Sequence, residues 1–197
     1  MGQLSVKGEA VINGVRAVGG ASVFSGDRVT TRKGSTVSVS MRGGNELVLA
    51  ELTSVKIVGA QSEITVPLDN GRLEYLSGPE LPIVVRARGI AVVPQGGGGV
   101  YAVALSGDSL RVTATKGFAE LESANGSVKV AEGKTLVATL EADEPGGVAV
   151  HSKGRIVKYV IIAAGVAGGA GLSLALVHAN SDCAVSPSNV GNCASPH

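Results

Sequence analysis

A period-two alternation of apolar and polar residues runs from residue 4 to about residue 150, and it constrains the fold of this chain more than any other feature. Successive side chains of a β-strand point to opposite faces, so the alternation predicts strands with one buried face. Turn residues interrupt the pattern every six to twelve positions. The 29 glycines and the low aromatic content, 3%, also favour short strands and tight turns over helices. We therefore predict an all-β domain, built as a meandering sandwich of short strands or as a β-helix-like arrangement.

The alternation and its turns predict two strand pairs in detail. Asn13 and Gly14 separate two apolar segments, and both residue types tolerate a positive φ, which favours a hairpin. A second pair joins residues 36–41 to residues 46–49 through a Gly-Gly turn. Its buried face is predicted to carry Val37, Val39 and Met41 against Leu47 and Leu49, with the serines facing solvent.

Prolines and glycines interrupt the β pattern at two places. Pro79 and Pro82 mark a seam near residues 77–82, where the domain of residues 1–147 can be divided into two modules. Four consecutive glycines, at positions 96–99, lie between two apolar segments. A phosphate-binding loop would need a following Gly-Lys-Ser/Thr and a helix N-terminus, and the sequence continues instead as a strand pattern. We therefore predict that the glycine run is a flexible hairpin loop.

An uncharged apolar stretch follows the β region, from residue 159 to residue 177. Its nineteen residues contain no proline, and as a helix they would cover about 28 Å, close to the roughly 30 Å hydrocarbon core of a bilayer. We predict a transmembrane helix over residues 159–178, after a basic linker over residues 148–158 and before a Pro/Ser/Asn-rich tail over residues 179–197. The alternative is a buried Gly/Ala-rich helix, although no other segment is typical of a helical partner.

Two residue pairs in this C-terminal part have candidate roles. Gly165 and Gly169 form a GxxxG pair, which lets two membrane helices approach closely and suggests a homo-oligomer packed through them. Cys183 and Cys193 lie in the tail. They would form a disulfide if the tail faced an oxidising compartment, or remain two thiols on a reducing side.

The charged residues of the β region do not form a recognisable catalytic or binding motif. All three histidines lie outside it, at positions 151, 178 and 197, so it offers no imidazole for a metal cluster or for activating a nucleophile. The pairs Asp27 with Glu51 and Glu120 with Glu122 are not distinguished from other surface carboxylates. The net charge of +1, with both signs interspersed, provides no basic face for nucleic acid. We predict a non-enzymatic protein without cofactor or metal, and without nucleic acid as a partner.

One series of motifs has an order that is hard to obtain by chance. Gly-Asp-Arg-Val-Thr-Thr at residues 26–31 is followed by Ser35, an alternating strand, a Gly-Gly turn and a second strand. Farther along, Gly71 lies in an Asp-Asn-Gly-Arg-Leu segment and Gly133 lies in a Glu-Gly turn. This order resembles the FecR family, an extracytoplasmic domain first known from iron-dicitrate sensing, over roughly residues 5–140. The motif positions, to which the resemblance assigns structural roles, are Gly26, Asp27, Val29, Thr31, Ser35, Gly43, Gly71 and Gly133. Asp27 is also predicted to accept backbone N–H bonds in an Asx-type turn before a strand.

The resemblance implies a membrane-tethered β module that binds or signals through contact with an envelope protein. It places the β domain of a single-pass bacterial membrane protein in the periplasm. Classical members also carry a cytoplasmic anti-sigma segment and a span before the β domain. Because the predicted span here follows the β domain, regulation of a sigma factor does not transfer. Two alternatives remain: a self-assembling structural protein of the envelope, and a module that binds or processes envelope glycan.

The orientation in the membrane is predicted differently by two arguments. Lys153, Arg155 and Lys158 precede the predicted span, and no Lys or Arg follows it. The positive-inside rule therefore places the β domain in the cytoplasm, and the chain begins without the features of a secretory signal peptide. The family resemblance places the β domain outside, and we adopt that orientation as the expectation.

Overall fold

The computed structural model describes residues 2–124, 126–140 and 157–162, and their regular structure is β-strand apart from one short 3₁₀ turn, Arg42–Gly44. The strands are β1 (Gly2–Lys7), β2 (Ala10–Ile12), β3 (Val15–Arg16), β4 (Ser22–Val23), β5 (Arg28–Thr31), β6 (Thr36–Met41), β7 (Asn45–Leu49), β8 (Ser54–Lys56), β9 (Val58–Gly59), β10 (Ile64–Ser77), β11 (Ile83–Ala87), β12 (Ile90–Ser106), β13 (Ser109–Ser123), β14 (Gly126–Val130), β15 (Lys134–Leu140) and β16 (Val157–Ile162). The predicted all-β class is confirmed. Within the part of the chain that the structure describes, no helix has the length and apolar character needed to cross a membrane.

The strands form one hydrogen-bonded sheet of sixteen strands that curls around a single buried cluster. One row of neighbours follows the order β4-β1-β6-β7-β10-β12-β13-β15-β16. A second row follows the order β3-β2-β5-β8-β10-β11-β12-β13-β14. Because β10, β12 and β13 belong to both rows, the fold is a curled sheet, which differs from a sandwich of separate sheets and from a β-helix.

The three shared strands bend at glycines where they pass from one row to the other. In β10 the register shifts between Leu68 and Asn70, just before Gly71 with φ of 94°. In β12 the register with β13 shifts between Gln95 and Val100, so the four glycines lie inside one strand. Gly117, with φ of 85°, provides the corresponding bend in β13. The hairpin-loop prediction for residues 96–99 is therefore wrong, because the glycines bend the chain without reversing its direction.

The predicted strand pairs are confirmed residue by residue. In the first hairpin Ile12 lies opposite Val15, with positive φ angles of 51° at Asn13 and 84° at Gly14. In the second pair, β6 and β7 place Val37 opposite Leu49 and Val39 opposite Leu47, all four fully buried. Ser38 faces outward and donates a hydrogen bond to the Glu46 carboxylate at 2.8 Å. Cross-strand contacts of this kind are what stabilise a sheet.

Strand β16 changes the prediction for the start of the transmembrane helix. Its backbone pairs antiparallel with β15, with Val160 opposite Val137 and Ile162 opposite Thr135. Residues 159–162, predicted as helix, and residues 157–158, predicted as linker, are therefore strand. The β-branched residue types of this segment favour a strand where a neighbouring edge is available. The rest of the predicted span, from residue 163 to residue 178, lies outside the described residues.

A pair of tyrosines lies at the centre of the core. Tyr75 of β10 lies directly opposite Tyr101 of β12, with ring centroids 5.2 Å apart and ring planes at 33°. The Tyr101 hydroxyl donates to the backbone oxygen of Phe118 at 2.9 Å. The Tyr75 hydroxyl is buried and makes no hydrogen bond among the described residues. Burial, with a smaller contribution from Tyr101, raises the pKa of Tyr75 well above its usual range.

The unpaired hydroxyl makes Tyr75→Phe a stabilising substitution. We expect the free energy of unfolding at neutral pH to rise by about 1 kcal/mol, because a buried hydroxyl without a partner costs about that much. Tyr101→Phe is the matched control, and it should lower stability by about 1 kcal/mol because its hydroxyl has a partner. Urea unfolding checks both values, and destabilisation of equal size by the two substitutions would contradict the assignment.

The same pair predicts a loss of stability in alkali. The unfolded chain loses the Tyr75 proton near pH 10, whereas the folded state retains it because its pKa is raised. Above about pH 10 the folded state then binds more protons than the unfolded chain, so the contribution of Tyr75 to stability is unchanged below that pH and falls above it. Tyr75→Phe should reduce that fall and leave the part due to Tyr101, whose pKa is also raised by burial.

Candidate functional site

The predicted Gly-Asp motif forms a hydrogen-bonded turn at the start of β5. Gly26 has φ of 97° and donates its N–H to the Ile57 backbone oxygen at 2.7 Å. The Asp27 carboxylate accepts the Phe24 N–H and an Asn13 side-chain N–H, each at 2.8 Å. The Asn13 oxygen in turn accepts the Arg28 N–H at 2.9 Å. Asp27 thus accepts a backbone N–H as predicted, but from a preceding residue, and it ties the first hairpin to β5.

Two further motif residues meet at a threonine that the sequence did not single out. The buried Thr31 hydroxyl donates to the Ala50 backbone oxygen at 2.5 Å and accepts the Thr53 N–H at 2.9 Å. The Thr53 hydroxyl accepts the Arg72 N–H at 3.0 Å and donates to the Arg72 backbone oxygen at 3.0 Å. A Cβ atom at Gly71 would lie 2.6 Å from the Thr53 Cα atom, so only glycine fits there. Thr31, Thr53 and Gly71 therefore connect β5 to the bend of β10.

The other motif residues occupy separate positions. Val29 lies in the core, and the buried Ser35 hydroxyl accepts the Glu9 N–H at 2.8 Å. Gly43 lies in the 3₁₀ turn with φ of 75°, and Gly133 lies before β15 with φ of 70°. The structure does not bring these four to one place, and each one shapes a strand or a turn. Gly165, Gly169, Cys183 and Cys193 lie outside the described residues.

Asn45 forms a junction between the 3₁₀ turn and the connection from β10 to β11. Its buried side chain donates to the backbone oxygens of Arg42 and Leu81, each at 2.9 Å, and accepts the Gly78 N–H at 2.8 Å. We call these four residues the Asn45 junction. It lies at the predicted seam, although one core cluster includes residues from both sides of it. The division into two modules stays a prediction.

An accessible groove lies beside this junction, next to the Gly26–Asp27 turn that holds the Phe24 backbone. We call it the Phe24 groove; it has a volume of about 280 Å³ and is lined by Phe24, Ser25, Arg42, Gly59, Ala60, Ile64 and Leu81. Phe24 is 63% exposed, and its backbone is held by the bond to Asp27. The Ser25 hydroxyl accepts the Gly59 N–H at 3.0 Å and fixes the opposite wall. An exposed aromatic side chain on a fixed backbone beside a concave surface is typical of a protein contact.

Three of the four carboxylates considered as acid and base candidates, Asp27, Glu51 and Glu120, are engaged in structural hydrogen bonds. Glu51 accepts the Gly34 N–H at 2.6 Å, and Asp27 is engaged as described above. Glu120 accepts hydrogen bonds from Gln95 at 3.2 Å and from Ser127 at 2.5 Å. Among the described residues, no group of three or more His, Cys, Asp or Glu side chains is arranged to hold a metal ion.

Comparison with known proteins shows a likeness in fold. No protein-family model matches the chain, and no curated protein matches it in sequence. Two crystal structures are similar to it, each described as a candidate anti-sigma factor from Parabacteroides distasonis ATCC 8503. The first has a TM-score of 0.50 and 15% identity, over 61% of this chain and 56% of its own. The second has a TM-score of 0.50 and 14% identity, over 61% of this chain and 57% of its own. The likeness shows a shared fold, and it spans little more than half of those chains.

The sequence indicated the turns of this site better than its accessible surface. Asp27 and Gly71 stand out because Gly-Asp and Asn-Gly are recognisable turn sequences. Thr53 and Asn45 do not, because an isolated Thr or Asn beside a turn is common in any β protein. Phe24 carried a signal that could have been used. It is one of two phenylalanines in the chain, and it lies at a turn rather than in a strand.

Proposed function

We propose that this chain is a non-enzymatic signalling or scaffolding protein of the bacterial envelope whose FecR-like β domain acts by contacting another protein. A C-terminal span would anchor it in the cytoplasmic membrane as a single-pass protein, with the β domain in the periplasm. The observation that carries the proposal is the fold likeness to the two candidate anti-sigma factors. It agrees with the motif order from residue 26 to residue 57, which resembles the FecR family on independent grounds.

The Phe24 groove supports contact with a folded protein as the mode of action. Its walls combine the apolar side chains of Phe24, Leu81 and Ile64 with the cation of Arg42. Aromatic and arginine side chains beside a pocket provide a large share of the binding energy at protein interfaces. The hydrogen bonds of Asp27 and Ser25 fix both walls before a partner arrives, which lowers the entropic cost of binding.

Substituting Phe24 by alanine tests the proposal. We expect Phe24→Ala to weaken capture of a specific envelope partner by about 2 kcal/mol, because an exposed aromatic anchor at a groove is a typical hot spot. The folded state should persist, since the ring is 63% exposed and removing it leaves the core intact. The measurement is quantitative pull-down from envelope extracts with the immobilised full-length protein, followed by titration of the captured partner.

The chain offers a matched control in its other phenylalanine. Phe118 lies on β13, is 54% exposed and does not line the Phe24 groove. Phe118→Ala should leave partner binding unchanged. Equal loss of binding in the two variants would refute the groove as the contact site. If no partner is captured and light scattering instead shows that the chain self-associates, the assembly alternative would replace the signalling proposal.

A further inference from the structure

Strand β16 and the proposed membrane helix use the same residues. In the sheet, the backbone of Val157–Ile162 pairs along its whole length with β15, from Val157 opposite Leu140 to Ile162 opposite Thr135. The apolar stretch proposed to cross the membrane begins at Tyr159. Residues 159–162 therefore belong to both elements, and one backbone cannot be strand and helix at the same time. We call Val157–Ile162 the shared segment.

The length of the apolar stretch decides whether the helix can form without the shared segment. Residues 163–177 number fifteen, which gives a helix of about 22 Å. A span needs at least about 17 residues to cross a hydrocarbon core of about 30 Å. The helix cannot gain apolar length at its other end, because His178, Asn180 and Asp182 follow. A complete span therefore requires at least Ile161 and Ile162, which belong to β16.

The composition of the shared segment suits both states. Its Val and Ile residues favour strands in water, and in a bilayer the same side chains are among the most favourable for insertion. Lys158 lies opposite Thr139 at the outer edge of the sheet. At the end of a membrane helix it would lie at the interface, where a lysine can extend towards the lipid headgroups.

We propose that the shared segment alternates between strand β16 and the first turn of the membrane helix, so that insertion into a bilayer removes β16 from the sheet. This inference rests on the membrane anchoring proposed above. Removal of β16, the last strand of its row, moves the free edge of the sheet from β16 to β15. The backbone N–H and C=O groups of β15 that pair with β16 then become available to a strand from a protein partner. Membrane insertion therefore changes which strand a partner meets at this edge.

A reversible disulfide between the two strands tests the coupling. Val137→Cys and Val160→Cys are introduced into the full chain, with Cys183 and Cys193 replaced by serine. Opposite residues of an antiparallel pair have Cβ atoms about 4.5–5.5 Å apart, which a disulfide can bridge with a small adjustment. Flotation with vesicles of phosphatidylcholine and phosphatidylglycerol is measured before and after reduction. The oxidised chain should float about tenfold less than the reduced chain, because it withholds Val160, Ile161 and Ile162 from the bilayer.

A control disulfide joins β15 to its other neighbour and leaves the shared segment free. The hydroxyls of Thr113 and Thr135 are 2.8 Å apart on directly opposite residues, so Thr113→Cys with Thr135→Cys locks β13 to β15. This variant should float equally when oxidised and reduced. A second variant needs no disulfide: Val160→Leu, Ile161→Leu and Ile162→Leu together lower the strand preference and keep the segment apolar. It should float at lower lipid concentration than the unmodified chain.

The results distinguish a failure of the alternation from a failure of the membrane anchoring. If the oxidised Val137–Val160 variant floats as well as its reduced form, or the triple leucine variant floats like the unmodified chain, the alternation is refuted and the anchoring stands. If none of the proteins floats in either redox state, the anchoring fails and the alternation fails with it. A loss of flotation confined to the oxidised Val137–Val160 variant supports both.

Discussion

Gly78→Ala should lower the free energy of unfolding by about 3 kcal/mol, because the added methyl group has no space. A Cβ atom at Gly78 would lie well inside contact distance of the Gly43 backbone oxygen. Gly78 cannot move freely, because its N–H is bonded to Asn45 and β10 ends at the preceding residue. Gly43 cannot move freely either, because β6 and β7 flank its 3₁₀ turn. Overpacking against backbone is costly because a carbonyl cannot change rotamer as a side chain can. Urea unfolding followed by circular dichroism measures the effect.

Gly19→Ala is the matched control for this substitution. Gly19, like Gly78, does not have a left-handed backbone, and a Cβ atom there would meet nothing within 4 Å. Its replacement should change stability by less than about 1 kcal/mol, and in the stabilising direction if the alanine restricts the unfolded chain. Similar losses in both variants would show that the contact with the Gly43 backbone oxygen is not the cause of the loss at Gly78.

The sequence determined the local strand pairs well, because a two-residue period and a turn fix register without reference to the rest of the fold. The pairing of Val37 with Leu49 and of Val39 with Leu47 follows from an alternating strand, a Gly-Gly turn and a second alternating strand. The hairpin at Asn13 follows in the same way, because few residue pairs accept its φ angles. Both predictions depend on residues close together in the chain.

The curled sheet could not be predicted because its bends depend on distant partners. Residues 96–99 have the composition of a hairpin loop, yet β12 continues through them in one direction. What distinguishes the two cases is the neighbouring strand, since β13 bends at Gly117 beside the same point. A single sequence contains both glycine positions but does not show that they face each other. The same limit applies to β16, whose pairing with β15 competes with the helical pattern of the apolar stretch.

The sequence predicts the part of the candidate site that a turn sequence marks, and it does not predict the accessible groove. Asp27 was expected to fix a turn before β5, and it bonds to Phe24 and Asn13. The Phe24 groove was not expected, because its walls come from residues 24–25, 42, 59–60, 64 and 81. These segments meet through the Asn45 junction, the bond between Ser25 and Gly59, and the pairing of β9 with β10. A concave surface built from several distant segments leaves no pattern along the chain.

Asn45→Ala should also lower the free energy of unfolding by about 3 kcal/mol, because it removes a buried side chain that bonds three backbone groups, one of them buried and two partly buried. These groups are the Gly78 N–H and the backbone oxygens of Arg42 and Leu81. Asn70→Ala is the control of the same chemistry, since Asn70 is exposed and its side chain makes one hydrogen bond, to the Leu52 backbone oxygen at 2.6 Å. Asn70→Ala should lower the free energy of unfolding by less than about 1 kcal/mol. An equal loss in both variants would show that the Asn45 junction stabilises the fold no more than a single exposed hydrogen bond does.

Combining Asn45→Ala with Gly78→Ala reveals what the junction contributes to cooperativity. Both substitutions disturb the same contact between residues 42–45 and 78–81, so the double variant should lose less stability than the sum of the single losses.

The prediction of two modules is tested by the same double variant. If residues on the two sides of the connection form one cooperative unit, unfolding of the double variant should remain a single transition when followed by different probes. Two separate transitions would show that the connection divides the domain, because a weakened junction lets each module unfold at its own denaturant concentration.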